Sequence, residues 1–90
     1  MTKKPTIHIS IGLNECVYNG KRSVYQVEKY VYGLKSTDHI SYDTSDYIYS
    51  IKIHNVDCNL MGYRKLIIEL PIKPTKNIRL KLMVNGCDIL

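Results

Sequence analysis

Between Asp46 and Cys58 the chain reads DYIYSIKIHNVDC, with Tyr47, Tyr49, Ile51 and Ile53 alternating with Ile48, Ser50, Lys52 and His54. Apolar residues at every second position, in a run rich in Tyr and Ile, describe a strand with one face on a core. No other segment alternates over as many residues, so the pattern predicts a central strand.

Four other segments repeat the pattern. Thr6–Leu13 places Ile7, Ile9, Ile11 and Leu13 on one face, with Thr6, His8, Ser10 and Gly12 on the other. Arg64–Leu70 carries Leu66, Ile68 and Leu70 on one face, and Ile67 makes its middle apolar on both. Pro71 ends that strand, and Pro74 keeps the connection extended. Ile78–Val84 turns Ile78, Leu80, Leu82 and Val84 inward and Arg79 and Lys81 outward, and Asp38–Thr44 reads as a short strand. The Asn19-Gly20 and Asn85-Gly86 pairs predict tight hairpins, because Asn and Gly accept the positive φ such turns need. Cys87–Leu90 would return as a short final strand.

Ser23–Gly33 is the ambiguous stretch. Ser23 with Gln26 fits a helical capping box, and Val24, Val27 and Val31 fit a helical face. Against that, VYQVEKYVY is dominated by Val and Tyr, and the preceding Asn19-Gly20 turn asks for a returning strand. The segment is assigned as a strand. Val27 and Val31 then share a face with Tyr25, and Lys29 interrupts it, which suits an edge strand where an inward charge discourages aggregation. The chain is therefore predicted to be all-β, one domain over residues 1–90: a small sandwich or compact barrel of six to seven antiparallel strands in two sheets.

Composition narrows the function without selecting one. The chain holds eight Tyr and neither Phe nor Trp, which puts several rings with polar tips at the core boundary or on a contact face. The net charge of +5 is spread over separate pairs, Lys3-Lys4, Lys21-Arg22 and Arg64-Lys65 among them, and reads as solvated charge. No segment has the apolar length of a membrane span, and MTKKPT lacks the apolar region of a signal peptide. Either the protein works inside the cell that makes it, or a leader has been removed.

Three cysteines allow one bridge and one free thiol. Cys16 and Cys58 both fall at predicted strand ends, and a bridge between them would close about 42 residues and stabilise by roughly 4 kcal/mol. The alternative is three reduced cysteines acting as small hydrophobes. His54 and Cys58 with Cys16 and Cys87 could in principle supply zinc ligands, but no closely spaced ligand pair begins such a site, so no metal or other cofactor is expected.

Nor does the sequence carry a catalytic pattern. There is no nucleophile elbow, no phosphate-binding glycine loop and no carboxylate cluster, and His8, His39 and His54 read as surface residues. A binding protein is the better description. Tyr30 and Tyr32 beside Lys29 and Lys35, or Tyr63 beside Arg64-Lys65, would suit stacking on single-stranded nucleic acid, but no aromatic signature accompanies them.

Cys16-Val17-Tyr18 opening a hairpin, VYQVEKYVYG as its return, the alternating YIYSIKIHNVDC and the following LIIEL resemble the order of the MAX effectors of plant-pathogenic fungi, over roughly half the chain. These are small secreted six-stranded sandwiches, typically with a disulfide from the first strand region to the loop before the fifth strand. The resemblance implies a secreted virulence protein, or one acting in the host-cell cytoplasm, that binds host proteins. Several family members pair with heavy-metal-associated domains, some through an added strand at a sheet edge. The corresponding surface here would be Tyr25, Lys29, Tyr30 and Tyr32, with Cys16 and Cys58 as the bridge. The alternative is a small intracellular viral or phage protein that binds nucleic acid or blocks a host enzyme.

Overall fold

β-Branched and aromatic residues dominate the chain, and extended backbone is where such side chains lose least rotamer freedom. In a computed structural model, which describes residues 6–44 and 50–84, they form seven strands and, among the described residues, no helix. The strands are β1 (Thr6–Ile11), β2 (Val17–Asn19), β3 (Val24–Tyr32), β4 (Ile40–Thr44), β5 (Lys52–Val56), β6 (Tyr63–Leu70) and β7 (Ile78–Val84). All pairings are antiparallel. One sheet has the order β1-β7-β4 and the other β2-β3-β6-β5.

The two sheets pack face to face. From the smaller sheet come Ile9, Ile11, Ile78, Leu80, Leu82 and Val84; from the larger come Val27, Leu66, Ile68 and Leu70. Each set follows the two-residue period of its strand, so the alternation read from the sequence is the alternation that builds the core. Two polar ties hold connections: Leu13 N–H donates to Asn77 Oδ1 at 3.1 Å beside the paired ends of β1 and β7, and Ile51 N–H donates to the Tyr42 hydroxyl at 3.2 Å between the two sheets.

The strand assignment for Ser23–Gly33 holds, and four other details differ from expectation. First, the Lys52–Val56 strand pairs only with β6 among the described residues and lies at the end of its sheet. The interior places go to β3 and to β6, whose middle is apolar on both faces through Ile67. The first half of the alternating run, together with Asn85-Gly86 and Cys87–Leu90, lies outside the described residues.

Second, β3 is an edge strand only in part. β2 pairs with Val24, Tyr25 and Gln26 and goes no further, whereas β6 pairs with β3 from Tyr25 through Tyr32.

Third, the β2–β3 turn is not a two-residue Asn-Gly hairpin. The Asn19 side chain accepts from Lys21 N–H at 3.1 Å, its carbonyl accepts from Arg22 N–H at 3.2 Å, and the positive φ of 56° falls on Ser23. Asn19 uses its amide to close an Asx turn, which widens the loop.

Fourth, no bridge joins Cys16 and Cys58; both thiols are free. The strand order forbids the bond. Cys16 precedes β2 and Cys58 follows β5, at opposite ends of the four-stranded sheet, about 14 Å apart across three strand spacings. The row of Val17 and Gln26 is also six residues along β3 from Tyr32, the row of Tyr63, beside which Cys58 lies. That adds roughly 17–20 Å along the strands. A disulfide needs Cα atoms within about 7 Å.

Candidate protein-interaction edge

Among the described residues, the outer half of β3 is an open strand edge that borders exposed aromatic rings. Gly33 N–H donates to the Gly62 carbonyl at 2.7 Å, a pair that continues the β3–β6 register. Antiparallel alternation then aims the backbone groups of Lys29 and Val31 at β6, and those of Glu28, Tyr30 and Tyr32 away from it. On that outward side β2 has already stopped. From Glu28 to Tyr32 the strand therefore presents hydrogen-bonding backbone with no partner strand among the described residues.

Apolar surface gathers at the same place. Tyr30 and Tyr32 are 50% and 72% exposed, and Tyr63 packs on Tyr32 edge to face with ring centroids 5.2 Å apart. The β5–β6 loop adds Leu60 and Met61, the latter 92% exposed. Gly62 allows the pair to form. Its φ is +75°, and a Cβ there would stand 2.5 Å from the Tyr32 ring. The ring covers bare glycine backbone, so the exposed tyrosine is held in place.

The neighbouring cations are already matched. Lys65 Nζ lies 3.8 Å from Glu28, and Arg64 pairs with Asp57. Lys29 turns to the inner side with Val27 and Val31, where its ammonium meets Glu15 at 2.5 Å. That hydrogen bond, helped by Gly12 N–H at 2.6 Å, holds the Glu15 carboxyl below its ordinary pKa. Burial, reinforced by the Glu15 charge, pushes the Cys16 thiol up, so it stays protonated and unreactive.

Of the four residues proposed from the sequence, Tyr30 and Tyr32 stand on the outer face of the open edge. Tyr25 is partly buried against the core, in tilted contact with Tyr18 at 5.1 Å, and Lys29 is half-buried in its ion pair. Parity separates them: an odd-numbered residue of β3 faces in, an even-numbered one faces out. Tyr63 was missed as the partner of Tyr32, and Leu60 and Met61 as exposed apolar residues of the adjoining loop. Tyr63 shares its parity with Lys65, which marks it as outward, but only the register of β3 on β6 puts it beside Tyr32.

A second polar group lies on the same outer face. Glu69 is 6% exposed, and its carboxylate accepts from Arg22 and lies 3.2 Å from His54 Nε2. These residues line a groove of about 420 Å³ with Asn19, Gln26, Val56 and Ile67. Among the described residues, no three His, Cys, Asp or Glu side chains converge as a metal site would need. Comparison with protein-family models, curated proteins and solved structures finds no match to this chain.

Proposed function

We propose that the protein is a non-enzymatic binding module that docks a partner protein along Glu28–Tyr32 of β3. The observation that carries this is the early stop of β2, which leaves a bounded length of strand edge beside an exposed tyrosine pair. Strand addition would supply main-chain hydrogen bonds, and Tyr30, Tyr32 and Tyr63 would supply apolar contact with little rotamer entropy to lose. A host protein is the partner class that the resemblance to MAX effectors implies. The Cys16–Cys58 bridge that the resemblance implies is not formed, so the likeness loses its cysteine feature and the host-partner class rests on the order of the segments alone. Two free thiols suit a reducing compartment such as a host cytoplasm. Stacking on nucleic acid fits less well, because Arg64 and Lys65 are neutralised by Asp57 and Glu28.

The test is selection from a library of random extended peptides displayed on phage. Enriched peptides should bind the native chain and lose binding to Tyr30→Pro, while Lys81→Ala on the opposite sheet leaves it unchanged. Peptides that bind Tyr30→Pro equally well would rule out strand addition at this edge.

A further inference from the structure

An unprotected strand edge recruits other strands, and natural proteins blunt such edges with proline, a bulge or a covering loop. Glu28–Tyr32 has no proline, its one inward charge, Lys29, is taken up by Glu15, and the edge borders exposed tyrosines. We infer that a second copy of the chain covers this edge, β3 pairing antiparallel with its twin about a two-fold axis at Tyr30. The inference rests on the proposed docking role of the same edge and says what occupies it when no partner is present.

Register singles out this arrangement. The outward backbone groups belong to Glu28, Tyr30 and Tyr32. Only a two-fold at Tyr30 pairs all of them, Glu28 with Tyr32 of the second copy and Tyr30 with its own counterpart. Any shift along the strand leaves at least one residue at each end without a partner. The ends match as well. An incoming strand must leave by the position opposite Val27, because β2 begins to occupy the edge at Gln26. The residue that reaches that position is Gly33 of the second copy, whose φ of +89° marks the turn out of the strand. The same turn in the first copy clears room for β2 of the second.

Side chains raise no objection. On the outer face Tyr30 meets its counterpart, and Glu28 lies across from Tyr32, so the tyrosine clusters of the two copies merge into one band. On the inner face Lys29 lies across from Val31, and each Lys29 keeps its own Glu15. No like charges stand directly opposite, which is the arrangement cross-strand pairing requires. The contact is short, at the low end of interface size, so the dimer is concentration-dependent and gives way to a better-matched strand.

Sedimentation equilibrium over a concentration series tests this. The native chain should move from its monomer mass of 10.4 kDa towards twice that value as concentration rises. Tyr30→Pro should remain monomeric while keeping the native circular dichroism, since the Tyr30 N–H points away from β6 and is not needed by the fold. In a background with Cys16, Cys58 and Cys87 changed to Ser, Tyr30→Cys should cross-link to itself on mild oxidation, and Asp43→Cys should not. A native chain that stays monomeric at its solubility limit overturns the self-pairing, and so does a dimer that persists in folded Tyr30→Pro. The partner reading fails separately: peptide selection can succeed on a monomer, or fail on a chain that dimerises as described.

Discussion

The two halves of β3 are built from the same residue types and meet different surroundings. Tyr25 and Gln26 are closed on both sides by β2 and β6, and Asn19 reaches Gln26 across the outer face. Glu28–Tyr32 has β6 on one side only. Valine and tyrosine propensity fixes both halves as strand. The length of the neighbour decides which half is sealed and which is open.

The largest effect should come from the row that both halves share. Ile68 is fully buried and pairs with Val27, where the covered part ends. Ile68→Ala should cost about 2–5 kcal/mol, removing most of the stability of so small a domain, and urea denaturation would measure it. Next, Gly62→Ala acts on the open half alone. It forces a side chain into positive φ and against the Tyr32 ring, for about 1–3 kcal/mol. The Tyr32 and Tyr63 ring resonances should lose their mutual shifts while those of Tyr18 and Tyr25 remain.

On the covered half, Arg22→Ala leaves the buried Glu69 carboxylate with His54 Nε2 as its remaining ion-pair neighbour among the described residues. A loss of about 1–2 kcal/mol in thermal or chemical denaturation is expected, because a buried acceptor loses a charged donor that is itself half in water. The smallest effect belongs to the Lys29–Glu15 pair beside the open half. Its folded pKa is depressed, so its contribution is complete above the unfolded value and disappears as pH falls through the folded one. Glu15→Gln should therefore cost about 0.5 kcal/mol or less near neutrality and nothing in acid, read from melting curves at several pH values.

Much of the fold was legible because a period of two states plainly which side chains are buried. Ile7, Ile9 and Ile11, Leu66, Ile68 and Leu70, and the whole inward set of β7 sit where their alternation puts them. What alternation cannot state is which strand lies beside which. The Lys52–Val56 strand was drawn at the centre and lies at an end; Cys16 and Cys58 were drawn together and lie at opposite ends of a sheet. Both errors concern neighbours, which depend on long-range pairing. At the candidate edge, composition pointed to Tyr30 and Tyr32, but the same crowd of Val and Tyr also drew in Tyr25, which parity along the strand assigns to the core. Glu69 was invisible for a related reason: its burial comes from Arg22 and His54, which lie on other strands and turns.

The place of β7 has a consequence for how the chain comes together. It is synthesised after β1 and β4, yet it lies between them and pairs with both. During synthesis β1 waits without its strand partner until nearly the whole described chain has emerged. Closure of the smaller sheet is then a late, long-range event, slow by the standards of a chain this short. That delay is the interval in which a nascent copy is most exposed to pairing with the wrong strand.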